Sequence, residues 1–202
     1  NKSQLTNFIT KYTLGGEIKS TKWTSNGDSL STRFISGDKS VVGSVVLSKF
    51  NHLSPCELGV YNTGQLTSLL SVLGDDIEVK LSDSGDKFIS MEFEDTKRKT
   101  KSKYMLSDLS VIPTPPALKN LPDTFELGIK VDPYFVNTFI SGKGALAEAE
   151  TFTILTENGE TKIVIGYASI ASNRVTIPVE TTKSADIEPI SFNANMFASI
   201  LN

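Results

Sequence analysis

The chain repeats itself, and the repeat limits what it can fold into more than any single motif does. Cys56-Glu57-Leu58-Gly59-Val60 and Phe125-Glu126-Leu127-Gly128-Ile129 share one pattern, and each runs directly into a helix start. After the first, Asn62 or Thr63 is placed to cap a helix; after the second, Asp132 caps and Pro133 takes the first helical position. The helices share an apolar stripe at i, i+3, i+4 and i+7: Leu5, Phe8, Ile9 and Tyr12, then Leu66, Leu69, Leu70 and Leu73. Val136, Phe139 and Ile140 begin it a third time, and Phe197, Ile200 and Leu201 a fourth.

A hairpin signal follows each of the first three helices. Ser25-Asn26-Gly27-Asp28, Asp83-Ser84-Gly85-Asp86 and Glu157-Asn158-Gly159-Glu160 each place glycine where a tight turn needs positive φ. The flanks alternate with period two. Ile77, Val79 and Leu81 answer Ile89, Met91 and Phe93, while Phe152 and Ile154 answer Ile163 and Ile165. Such strands are half-buried, with one face on a core.

The unit is therefore strand, helix, hairpin and further strand, with helix starts near Ser3, Thr63, Pro133 and Ala194. The segment Pro113 to Pro122 carries four prolines in ten residues, which excludes a helix or a central strand and predicts an extended connector. The expected organisation is a domain over residues 1–112, a connector over 113–122 and a second domain over 123–202. The first repeat lacks its leading strand. The fourth stops after its helix, so the pattern predicts an incomplete second domain whose missing part holds several strands.

Composition narrows the function. A formal net charge of -3 supplies no global basic field for gripping phosphate backbone. The single cysteine, Cys56, excludes an intramolecular disulfide framework, and His52 is the single histidine. No apolar run approaches the ~20 residues of a membrane-spanning helix. His52 and Cys56 flank Pro55 with no third orienting group, so a nucleophilic dyad is not expected. Gly142-Lys143-Gly144 with Ala147 matches a dinucleotide pattern but follows a helix, which is the wrong context. Asp75-Asp76 at a helix exit reads as turn chemistry. No catalytic residue, metal site or cofactor is expected.

Duplicated strand–helix–hairpin units, two per domain and joined by a proline-rich connector, resemble the DNA sliding-clamp family. Leu58 to Asp76 (LGVYNTGQLTSLLSVLGDD) with Ile77-Glu78-Val79, and Ser191 to Asn202 (SFNANMFASILN), are similar to stretches of the T-even-type bacteriophage clamp. The resemblance implies an α+β DNA-clamp fold in a ring of three two-domain subunits, with helices around the hole and sheets outside. It implies a processivity factor rather than an enzyme. Its partners would be duplex DNA held without sequence preference, a DNA polymerase, a clamp-loader ATPase and further copies of itself, in the cytoplasm of an infected bacterium.

In that layout Lys2, Lys11 and Lys143 on the helices would face DNA. The strand of about Lys99 to Leu106, through Lys103, Tyr104, Met105 and Leu106, would pair with about Asn173 to Glu180 of the next subunit, through Val175 and Ile177. Val111, Ile112, Leu118 and Leu121 would form the partner-binding patch, or else pin the connector to the sheets. The basic run Lys97-Arg98-Lys99, Lys101 and Lys103 reads either as a phosphate patch or as a lysine-protected sheet edge. Rival readings are a β-rich virion structural protein and an enzyme of unrecognised type.

Overall fold

The structure, a computed structural model, describes residues 1–117, 124–168, 170, 172–183 and 186–201. The chain divides into two compact units, Asn1–Leu118 and Lys119–Asn202, so the division falls inside the proline-rich connector.

The first unit begins with α1 (Lys2–Thr13), β1 (Thr21–Ser25), β2 (Ser29–Ile35), β3 (Val42–Ser48) and β4 (Cys56–Val60). It continues with α2 (Thr63–Ser71), β5 (Ile77–Ser84), β6 (Lys87–Asp95) and β7 (Lys101–Met105). The helices form where the caps allow: Asn1 Oδ1 accepts from the Ser3 N–H, and Asn62 Oδ1 from the Gln65 N–H. Leu5, Phe8, Ile9 and Tyr12 are all buried, as the stripe requires. Phe8, Tyr12 and Trp23 meet edge to face with centroids 5.4 to 6.3 Å apart, and the Trp23 indole N–H donates to the Tyr12 hydroxyl. Each fully buried large apolar side chain in this core is worth about 1.5–3 kcal/mol relative to exposure.

Strands run in the order β3-β2-β1-β4 in one sheet and β5-β6-β7 in another, all antiparallel. One bridge ties the two, where the Ser107 N–H donates to the Gly59 carbonyl. A Cβ on Gly59 would lie 2.2 Å from the Ser107 oxygen, so this strand crossing requires glycine.

The second unit holds β8 (Gly128–Ile129), α3 (Pro133–Ala145), β9 (Thr151–Glu157), β10 (Glu160–Ile165) and β11 (Val175–Pro178). β12 (Thr181–Lys183), β13 (Ile190–Asn193) and α4 (Ala194–Leu201) complete it. Its sheet order, β11-β10-β9-β13, repeats that of β3-β2-β1-β4 element for element. In each, the strand leading into the second helix pairs with the first strand after the first helix. Phe139, 0% exposed, sits between Phe135, Phe152 and Phe197. Asn158 and Gly159 both take positive φ (54° and 78°), the tight turn expected between β9 and β10.

The structure shortens one expected strand. Phe125 to Ile129 was expected to match Cys56 to Val60, yet only Gly128–Ile129 is strand, paired with β12. Phe125 is 55% exposed, so it gains no burial to hold it in line.

Candidate nucleic-acid and partner interfaces

The four helices share a property that the apolar stripe conceals. The chain has 23 acidic residues, but α1 to α4 contain no Asp or Glu. Their solvent faces carry Gln4, Asn7, Gln65, Ser68, Asn137, Ser141 and Asn195. Several hydroxyls bond back to their own helix, as Thr10 does to the Thr6 carbonyl and Ser68 to that of Gly64. Such a surface is polar and free of carboxylate repulsion toward an anion.

The three helix lysines differ in fate. Lys11 is exposed in the last turn of α1. Lys2 is turned inward: its Nζ donates to the Leu73 carbonyl at 2.5 Å and lies 4.0 Å from the Asp75 carboxylate, so it ties the start of α1 to the exit of α2. Lys143 is only 9% exposed and donates to the Ala147 carbonyl at 2.8 Å, in the turn that follows α3. Lys143 is therefore buried against its own turn, which corrects its placement on a DNA-facing surface, and Lys2 is largely committed elsewhere. The competing demand in both cases is a backbone carbonyl just past a helix end.

The four lysines of the basic run each meet a carboxylate. Lys103 lies 3.0 Å from Glu92, Lys101 3.3 Å and Lys99 3.7 Å from Glu94, and Lys97 2.6 Å from Asp76. Hydrogen bonds from Lys103 and Lys101 hold the carboxyls of Glu92 and Glu94 below their usual range. This corrects the phosphate-patch reading: the lysines form a cross-strand charge ladder. Sequence patterning missed the partners because register alone brings β6 opposite β7.

β7 and β11 are each the outer strand of their sheet. On β7, Met105 is 60% exposed, while Tyr104 is 3% exposed and faces the core. Leu106 is partly buried and its N–H is committed to the Ile89 carbonyl. On β11, Val175 is half-buried and Ile177 is 2% exposed. Tyr104 and Ile177 are thus core residues as side chains. What these strands offer outward is backbone.

At the start of the connector, Val111 is 58% exposed but Ile112 is 3% exposed, so Ile112 pins the connector, which settles its two readings. Leu118 and Leu121 lie outside the described residues. Between β4, β6 and the segment after β7 is a groove the sequence did not suggest. Its volume is about 430 Å³, and its lining mixes Gly59, Phe88, Ile89, Leu106 and Leu109 with the charged Glu57, Asp86, Lys87 and Asp108. Lys87, 2.6 Å from Asp108, closes one side, and that contact holds the Asp108 carboxyl far below the usual range.

Chemistry of other kinds finds no footing in the expected places. His52 packs edge-on against Phe50, and burial pushes the Cys56 thiol up. Gly142-Lys143-Gly144 is helical, and Asp76 is engaged by Lys97. Among the described residues no group of three or more His, Cys, Asp or Glu side chains is placed to hold a metal. No described helix is long and apolar enough to cross a membrane.

No protein-family profile matches the sequence, and no curated protein matches it. The structure is similar to that of PCNA from Thermococcus kodakaraensis, with a TM-score of 0.70 at 11% identity over 100% of this chain and 82% of the other. This is the DNA-clamp fold. The clamp fold accounts for the duplicated sheet order. At this identity the likeness establishes architecture, and the surfaces must carry the functional argument.

Proposed function

We propose that this chain is a subunit of a sliding clamp, a ring that encircles duplex DNA and tethers a phage DNA polymerase as a processivity factor. The observation that carries the reading is the complete absence of carboxylates from four helices in an acidic chain of clamp fold. A surface that must pass along phosphates without sticking needs no acids and few free cations. The outer strands β7 and β11 support assembly: one subunit's edge adding to the next is a heterologous contact, and rotation closes it into a ring of three. The groove lined by Phe88, Ile89, Leu106 and Leu109 is the candidate docking place for the polymerase, and a loader ATPase opens the ring. The function is topological and non-enzymatic.

The test is retention on DNA by topology. With its loader, the protein should stay bound to nicked circular duplex through a salt wash and slide off when that circle is linearised. Equal loss from both forms would overturn the reading. Primer extension with the cognate polymerase should give longer products in its presence.

A further inference from the structure

The duplicated architecture places an Asn-Gly dipeptide at the same point of each unit: Asn26-Gly27 between β1 and β2, and Asn158-Gly159 between β9 and β10. The pair suits a tight turn, and it also brings two reactive groups together. With no side chain on the glycine, its backbone nitrogen can reach the carboxamide carbon of the asparagine before it. The two turns hold these groups in opposite ways.

In the first turn both are tied down. Asn26 Oδ1 accepts from the Asp28 N–H at 2.9 Å, the Ser29 N–H at 2.8 Å and the Ser29 hydroxyl at 3.1 Å. The Gly27 N–H donates to Ser25 Oγ at 3.2 Å, and Ser25 is buried. The Pro55 ring packs on this turn, 3.7 Å from where a Cβ on Gly27 would lie. In the second turn both are exposed. Among the described residues, neither the Asn158 side chain nor the Gly159 N–H has a hydrogen-bond partner. Nothing lies within 4 Å of a Cβ built on Gly159. The turn closes on Glu157 opposite Glu160, the last pair of the ladder and the first to open.

We propose that Asn158 is a spontaneous modification site that deamidates in the folded protein, while the fold protects Asn26. The Gly159 nitrogen gives its proton to solvent and bonds to Asn158 Cγ. The carboxamide C–N bond breaks, ammonia leaves, and a cyclic succinimide forms. Water then adds to either ring carbonyl and opens the ring, leaving an aspartyl or an isoaspartyl residue at position 158. Water is consumed and ammonia released, with no change of oxidation state. The aspartyl product keeps the turn, because Asp tolerates the left-handed backbone of Asn158, φ 54°. The isoaspartyl product routes the main chain through the former side chain and lengthens it, so it no longer fits the two-residue connection of β9 to β10. Both add a carboxylate between Glu157 and Glu160. The reaction needs only this hairpin and stands apart from the tether reading.

The test ages the full chain at mildly alkaline pH, folded and in concentrated urea, and follows tryptic peptides by mass spectrometry. The peptide from Gly144 to Lys162 has Asn158 as its single asparagine, and that from Trp23 to Arg33 has Asn26. In the folded protein the first should gain the mass of amide-to-acid conversion about tenfold or more faster than the second. It should also split into aspartyl and isoaspartyl forms on chromatography. In urea the two rates should converge, because the dipeptides are identical and only the fold separates them. Asn158→Asp keeps the turn, should abolish the mass gain in its peptide, and marks where the aspartyl form elutes. Equal rates in the folded chain, or faster conversion of Asn26, would overturn the inference. So would a rate difference that persists undiminished in urea, or an undiminished mass gain in the Asn158→Asp peptide.

Discussion

The phenol of Tyr104 holds the backbone of Asn62 at both of its polar groups: it accepts from the Asn62 N–H at 2.9 Å and donates to the Asn62 carbonyl at 3.2 Å. Asn62 is the residue whose side chain caps α2. An edge-strand tyrosine therefore fixes where the second helix begins, 42 residues away in sequence. Tyr104→Phe keeps the packing but removes the acceptor of the Asn62 N–H, while the Asn62 carbonyl still accepts from the Leu66 N–H, at a cost of about 1 kcal/mol. Urea unfolding should show a lower midpoint with an unchanged slope.

The same buried phenols set an alkaline limit. Burial pushes both Tyr12 and Tyr104 above the ordinary phenol value of 10.0. Their folded pKa values are raised, so their contribution is complete below that value. It is lost as pH rises through the interval between unfolded and folded values. At the acid end, backbone N–H donors led by Arg98 hold the Asp95 carboxyl below its ordinary 3.8. Its contribution is present above that value and is lost as pH falls through the folded one. A stability profile should fall at both ends, and Tyr12→Phe should flatten the alkaline arm.

Gly59→Ala should cost about 1–3 kcal/mol by overpacking, because the new methyl meets the Ser107 carbonyl carbon and oxygen at the bridge between two sheets. Thermal melts compared with Gly85→Ala would separate collision from turn strain. Gly85 has open space around it but a φ of 64°.

Lys11 and Lys143 should separate cleanly. Lys143→Met removes the bond to the Ala147 carbonyl and should lower stability by about 1 kcal/mol with no effect on DNA retention. Lys11→Glu should leave the melting temperature within a degree or two and reduce retention on nicked circles. The opposite pattern would place DNA contact elsewhere than on the helices.

Assembly should depend on the backbone of β7. Residues 104 and 106 direct their backbone groups toward β6, so by alternation Lys103 directs its own outward. Lys103→Pro removes an outward donor while sparing the internal ladder. Light scattering should show loss of any trimer, with the unit's fold retained by circular dichroism. A trimer undisturbed by this change would exclude β7 as the joining edge.

Much of the architecture was legible because its code is local. The i, i+3, i+4, i+7 stripes placed Leu5, Phe8, Ile9 and Tyr12 inside, Asn62 and Asp132 announced their caps, and Asn158-Gly159 announced its turn. Each depends on residues within one turn of helix or hairpin. The interfaces were less legible. Lys2, Lys143 and the Lys99-to-Lys103 run look alike in sequence as solvated cations. Their partners are Leu73, Ala147, Glu92 and Glu94, and only the folded chain shows which lysine meets which.

The sequence by itself determined the duplicated unit, the alternation of helix and hairpin, the connector and the acid-free helices. All follow from periodicity, turn chemistry and composition. Tertiary structure alone decided which charges remain available. Pairing register set Glu92 and Glu94 against the lysines of β7 and Lys22 against Arg33, and the placement of the helix ends consumed Lys2 and Lys143. The physical reason is that a charge's role depends on what lies within a few ångströms of it, and that distance is set by strand register and packing, which the charge pattern along the chain does not encode.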